Sequence, residues 1–244
     1  MGASWDPVKH SPKQNHLLGA LSEADYEYLR PQMELVEMPL GAVLYESGSR
    51  MTYAYFPTSG IVSLLYVSED GGSAEIAITG NDGLVGLATL LGGGTTPSRA
   101  IVQIPGYAYR VEAAVLLNSF QRGGALQLLL LRYVQALMTQ MSQTAVCNRH
   151  HSVEQQLCRW LLRSLDRMES NEVTMTQELI SNMLGVRRVG VTDAAKHLRK
   201  DGLIKYRRGR ITVPDRSKLE ARACECYGVV KRESDRLLPG KACV

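Results

Sequence analysis

Arg187 and Arg188 lie two and three residues beyond Gly185, at the head of a segment in which Val191, Ala194, Ala195 and Leu198 recur at helical spacing. That pattern buries one face and leaves Arg187, Arg188, Val189, Thr192, Asp193 and Lys196 on the other. A guanidinium presents a planar fork that matches the O6 and N7 acceptors of guanine, whereas hydroxyl and ammonium groups suit phosphate oxygens. The stretch before it, 176–184, offers Thr176 as a cap with Gln177 beside it, and Leu179, Ile180 and Met183 as an inward face. Gly185 supplies the backbone freedom for a tight turn. Two helices joined this closely form a helix-turn-helix, whose second member enters the DNA major groove with its first residues at base edges. Arg187 and Arg188 are thus expected to read bases, with Thr176, Gln177, Val189, Thr192 and Lys196 around them. Residues 201–213 add two short β-capable runs about an Arg-Gly turn, a hairpin wing whose tip carries Arg207, Arg208 and Arg210 to the phosphates.

Other side chains able to do chemistry form weaker patterns. Cys147, His150, His151 and Cys158 straddle an expected helix break, and no compact quartet of metal ligands emerges from them. Cys224 and Cys226 are read as helical, where neighbours two apart point to different sides. No metal site is expected. Residues 35–124 contain neither His nor Cys, which leaves that region without ligands for an iron-sulfur cluster or haem. Its carboxylates fall into no catalytic arrangement, so an enzyme is not expected either.

The elements that must position these residues can be read from period and punctuation. Residues 17–30 read as a helix with Ser22 as a cap. From Leu35 to Glu112, short runs rich in Val, Ile, Tyr and Thr alternate with turn signals such as Pro57-Thr58-Ser59-Gly60 and Gly80-Asn81-Asp82-Gly83, the signature of an antiparallel sandwich or barrel. Residues 126–149 then lose their turn formers and read as one long helix. On it Leu130, Val134, Leu137, Met141, Thr144 and Asn148 step by 4, 3, 4, 3 and 4, a heptad seam suited to a parallel dimer. The alternative packs this helix against its own sheet. Ser152 to Gln155 fits a capping box that opens a new helix, with Leu157, Trp160, Leu161 and Leu165 facing a core. A last helix is expected over about 217–237.

The chain has 244 residues, a length for one large domain or two modest ones, and 45% apolar content sufficient for a core. Its net charge of +4 is unevenly spread: residues 1–146 hold 8 Lys and Arg against 12 Asp and Glu, and residues 147–244 hold 20 against 12. The cationic surface that nucleic acid attracts therefore lies in the last two fifths. No apolar stretch approaches the ~18 residues of a membrane span, and the polar opening gives no secretory signal, so a soluble cytoplasmic protein with reduced thiols is expected.

The order of parts between residues 17 and 213 resembles the Crp/Fnr family of bacterial transcription regulators, most strongly in residues 179–188 and in the wing. The resemblance implies an α+β chain: an N-terminal antiparallel β-roll like a cyclic-nucleotide-binding jelly roll, a long dimerisation helix, and a C-terminal winged helix-turn-helix. It implies a homodimer on a palindromic double-stranded DNA site and contact with RNA polymerase. The boundaries expected are a flexible tail over 1–16, the sensor domain over 17–124, the dimerisation helix over 125–149, the DNA-binding domain over 150–216, and a helix and tail over 217–244. Where the family carries an Arg followed by a Glu to read the half-site, this chain has Arg188 and then Val189.

The same resemblance points to a ligand pocket. Relatives that bind cyclic AMP carry Gly-Glu-Leu-Gly and Arg-Ser-Ala runs; this chain has Asp82-Gly83-Leu84-Val85-Gly86-Leu87 and Pro97-Ser98-Arg99-Ala100. The ribose-binding Glu is absent, and the exchanged order turns the Arg99 guanidinium to the opposite strand face. Gly83, Gly86, Leu87, Ser98 and Arg99, with Met141 and Ser142 from the long helix, are the candidate pocket for a nucleotide-like effector other than cyclic AMP, or for a vestigial site. An alternative function is a nucleotide-responsive binding module whose basic C-terminal domain engages a protein partner.

Overall fold

The computed structural model describes residues 11–69, 72–207 and 209–238. After a single turn at Pro12–Gln14 come helices α1 (His16–Gly19) and α2 (Glu23–Leu29), then strands β1 (Glu34–Met38), β2 (Val43–Tyr45), β3 (Tyr53–Pro57), β4 (Ile61–Val67), β5 (Ser73–Thr79), β6 (Arg99–Ile104) and β7 (Gly106–Glu112). Helices α3 (Ala113–Gln121), α4 (Ala125–His150) and α5 (Val153–Leu165) follow. The remainder is β8 (Glu172–Thr174), α6 (Gln177–Leu184), α7 (Arg188–Lys200), β9 (Lys205–Arg207), β10 (Arg210–Thr212), α8 (Arg216–Arg222) and α9 (Glu225–Leu237).

The strands form sheets in the orders β1-β7-β3, β2-β6-β4-β5 and β8-β10-β9. In the first, β7 pairs antiparallel with both neighbours, with Ala108 opposite Val36 on one side and Pro57 on the other. The turn between β6 and β7 meets the turn after β3 so closely that a Cβ on Gly106 would lie 2.4 Å from the Ser59 backbone, which only glycine permits.

Two compact units result: among the described residues, those within 11–62, 79–135 and 237–238 form one, and those within 63–78 and 136–236 form the other. These divisions differ from the expected breaks at 124 and 149, because helix α4 contributes to both. In the first unit Leu126, Leu129, Leu130 and Tyr133 of α4 join Leu17, Leu18, Leu29, Phe56, Leu84, Val111 and Leu116 in one apolar core. In the second, the far half of α4 meets the β4–β5 hairpin: Gln140 accepts from the Ile78 N–H (2.9 Å) and donates to the Ile78 carbonyl (3.2 Å), serving that strand residue as a backbone partner would.

Three expectations about elements need correction. Of the tail expected over 1–16, residues 1–10 lie outside the described residues, and 11–16 are not a tail: Asn15 is fully buried, caps α1 by accepting from Leu17 and Leu18, and donates to the carbonyls of Pro57 (2.9 Å) and Gly83 (2.8 Å). The helix expected over 17–30 is two, broken at Ala20 to Ser22, with Ser22 capping the second as expected. The helix expected over 217–237 is also two, because the chain leaves helical geometry at Ala223 and restarts at Glu225. No helix among the described residues is long and apolar enough to cross a membrane.

Candidate nucleic-acid interface

Helix α6 begins at the Thr176 cap, whose hydroxyl accepts from the Leu179 N–H, and ends at Gly185 in the left-handed region at φ 64°. Helix α7 follows two residues later. Its Val191, Ala194, Ala195 and Leu198 are buried, as their spacing requires, against α6 and the amphipathic helix α5 that the Ser152–Gln155 capping box starts. The opposite face of α7 exposes Arg187 at its cap, then Arg188, Val189, Thr192 and Lys196. Neither Arg187, Arg188 nor Lys196 makes an ion pair among the described residues, so their charge is free to meet an anion. Leu179, expected to point inward, is 40% exposed; Ile180, Met183 and Leu184 fill that side of α6 instead.

Two polar residues of the expected set also serve the fold. The Thr192 hydroxyl lies 2.8 Å from Gln177 Oε1 and 3.0 Å from the Arg188 carbonyl, which ties the start of α6 to the first turns of α7. The wing forms from β9 and β10, with Arg207 opposite Arg210 across the ladder, and gains a third strand, β8, that the sequence reading did not anticipate. Three residues alone carry too little periodicity to signal a strand. Glu172 on β8 lies 3.7 Å from the Arg210 guanidinium. Tyr206 Oη donates to the Met175 carbonyl, and the Arg188 charge acts on this phenol, whose pKa burial raises. Arg207 and Arg210 are exposed at the wing; Arg208, expected with them, lies outside the described residues.

A buried polar cluster behind α5 escaped the sequence reading altogether. Arg159, Arg163 and Arg167, one helical turn apart, are all buried, and Arg159 donates to the Thr144 hydroxyl at 3.0 Å. Glu75 of β5 is also buried and accepts from Ser63 at 2.7 Å. Burial pushes its carboxyl up to about 7, against the pull of Ser63 and of the three guanidinium charges.

Most of the residues expected to form a dimer seam turn inward. Leu130, Leu137 and Thr144 are buried within their own chain, and Val134 and Met141 are half-buried, while Asn148 is exposed. The outward stripe of α4 is another heptad, 128, 131, 135, 138, 142 and 145, which exposes Leu128 (51%), Leu131 (45%) and Met138 (62%). The helix thus packs one apolar face inward and leaves a second exposed.

Several of the expected effector residues already have partners within the chain. The Arg99 guanidinium lies 3.2 Å from Glu46, and the neighbouring Ser98 is buried with its hydroxyl 3.0 Å from that of Thr96. Gly83 is pressed by Tyr133, whose hydroxyl would meet an added Cβ at 2.4 Å and donates to the Leu84 carbonyl. Gly86, at φ 100°, lets Val85 pair with Tyr55 through two backbone bonds. Leu87 packs on the apolar core. Met141 and Ser142 belong to the other compact unit.

The thiols regroup as well. Cys158 is buried apart and His150 is exposed, whereas Cys147 and His151 come together with Cys224 and Cys226. The two expected clusters were each half of one. Cys224 sits in the break before α9, so it and Cys226 are not helical neighbours and both reach the same point.

The sequence model of the cyclic nucleotide-binding domain matches residues 35–122, and that of the Crp-like helix-turn-helix domain matches residues 155–222. Among solved structures, the chain is similar to FixK2 from Bradyrhizobium japonicum, with 15% identity over 79% of this chain and 98% of that one and a TM-score of 0.68. It is similar to the c-di-GMP responsive global regulator CLP of Xanthomonas campestris, with 14% identity over 79% and 99% and a TM-score of 0.62. A CooA variant from Carboxydothermus hydrogenoformans gives 16% identity over 85% and 94% and a TM-score of 0.61. At these identities the likeness speaks for the fold. No curated protein matches the sequence significantly.

Proposed function

Because the chain belongs to the Crp/Fnr family of transcription regulators, we propose that it works as a homodimer that reads a palindromic DNA site through Arg187 and Arg188. It is a DNA-binding regulator with a cyclic-nucleotide-binding domain, not an enzyme. The observation that carries the finer reading is the open face of α7, where two guanidinium groups and Lys196 stand exposed beside a wing carrying Arg207 and Arg210. Thr176 and Gln177 at the start of α6 serve the adjoining phosphates. The outward stripe of α4 supports the pairing of two chains, which would set their recognition helices about 34 Å apart on successive major grooves. Val189, 63% exposed where the family has a Glu, offers an apolar contact to a thymine methyl and no acceptor for cytosine. In this reading the dimer acts in the cytoplasm and contacts RNA polymerase at a promoter.

The effector is a nucleotide-like ligand other than cyclic AMP, or none. The support is chemical: the run 82–87 lacks the ribose-binding Glu, and Arg99 is already paired with Glu46. A thermal-shift panel of cyclic mono- and dinucleotides tests this, since a ligand at 100 times its Kd stabilises by about 2.7 kcal/mol. Stabilisation by cyclic AMP would overturn it.

The base readers are tested by duplex binding. A bidentate Arg–guanine contact contributes about 1–3 kcal/mol, so Arg188→Ala should weaken a selected site roughly 5- to 150-fold and relax preference at one position per half-site. Unchanged affinity would remove Arg188 from that role.

A further inference from the structure

We infer that Cys147, His151, Cys224 and Cys226 form a structural site for zinc or a similarly thiophilic divalent ion. The three sulfurs and a ring nitrogen of His151 all lie within 4.8 Å of one another. Cys147 Sγ is 3.5 Å from Cys224 Sγ, and Cys226 Sγ is 3.6 Å from His151 Nδ1. With Zn–S of about 2.3 Å and Zn–N of about 2.0–2.1 Å, a tetrahedral S–N edge is roughly 3.5 Å and an S–S edge roughly 3.8 Å, so the Cys226–His151 edge is near its final length and the Cys147–Cys224 edge needs to open by only about 0.3 Å.

The chain prepares these positions from two directions. Cys147 is on the last turns of α4, and the His151 N–H donates to the Cys147 carbonyl at 3.0 Å, so the imidazole follows the thiol one turn later on the same side. Cys224 lies in the gap between α8 and α9, and Cys226 in the first turn of α9. All three cysteines are buried, which limits competition from water. The outer nitrogen of the imidazole, Nε2, lies 3.3 Å from a Glu225 carboxylate oxygen. A carboxylate behind a metal-bound histidine fixes the ring and raises its basicity.

Buried thiols can also serve as small apolar filling. Filling needs no imidazole wedged among the sulfurs with one nitrogen toward a thiol and the other toward a carboxylate. A disulfide would use two of the four groups and leave the others without a role. Three thiolates and one imidazole give a closed N/S shell without an open position, which suits a structural ion rather than a catalytic one. Bound there, the ion joins residues 77 apart in sequence and holds the end of α4 to the α8–α9 corner, with the entire winged helix enclosed in the loop between. The site stands independently of the DNA-binding reading.

The test uses the full chain purified under reducing conditions, loaded with zinc and desalted. Elemental analysis should find one zinc per chain, and cobalt in its place should give tetrahedral d–d bands with thiolate-to-cobalt charge transfer. Cys224→Ser and His151→Ala should lose the metal; Cys158→Ala, a buried thiol outside the quartet, should keep it. Chelation should lower the Tm of the wild-type chain and leave that of Cys224→Ser unmoved. Absence of bound metal in the loaded wild type, a cobalt spectrum without thiolate charge transfer, or full retention by Cys224→Ser overturns the site. If Cys224→Ser does not fold, the cobalt spectrum of the wild type decides alone.

Discussion

Asn15 uses its whole amide: two donated bonds reach the Pro57 and Gly83 carbonyls and its oxygen caps α1, with no surface left to water. Asn15→Ala strands two buried acceptors and two helix donors together, so chemical denaturation should show a loss of about 2–4 kcal/mol. Glu75 sets a pH dependence. Its folded carboxyl, pushed to about 7 by burial, lies above its unfolded value, so the native state holds the proton more tightly. The stability that this proton supports is complete below the unfolded pKa and is lost as pH rises toward and through about 7. The wild-type Tm should therefore fall across that window, and Glu75→Gln should flatten the slope; an equal slope in both would place the titration elsewhere. By contrast, the exposure of Arg187, Arg188 and their neighbours was legible in sequence, because it follows from a helical period over a dozen positions. Asn15 lies between Gln14 and His16, and Glu75 in the run Ala74-Glu75-Ile76-Ala77, where a lone carboxylate reads as the solvent side of an alternating strand; nothing local marks either as buried.

Helix α4 carries the prediction at the next scale. Leu131→Glu with Met138→Glu places charge on the outward stripe, and sedimentation should show a dimer becoming a monomer with the fold retained. Leu130→Ala, on the inward stripe, should instead cost about 2–5 kcal/mol of stability through a cavity in the first unit's core. The heptad period was visible in the sequence; its phase was not. Leucines at 126, 128, 129, 130 and 131 load every side of the first turns, so spacing alone cannot tell which stripe a neighbouring sheet has taken. The strand β8 and the break before α9 were hidden for a related reason. Both are short, and both meet partners distant in sequence, β10 for one and Cys147 for the other.

At the scale of the molecule, the excess of cations in residues 147–244 becomes a surface on α7 and the wing. Each phosphate neutralised contributes about −0.9 to the slope of log affinity against log salt. A dimer presenting Arg187, Arg188, Lys196, Arg207 and Arg210 twice should give a slope steeper than about −4 in fluorescence anisotropy with duplex DNA. A flat dependence would favour a basic domain that engages a protein instead. The charge imbalance, the strand-rich region, the long helix, the helix-turn-helix and the wing could all be read from the chain, since each is written in periodicity or composition within a few dozen residues. Which stripe of α4 stays open, why Gly83 and Arg99 are already occupied, and how Cys147 meets Cys224 required the folded chain. Those answers depend on segments far apart in sequence being brought within a few ångströms, and local propensity holds no record of such neighbours.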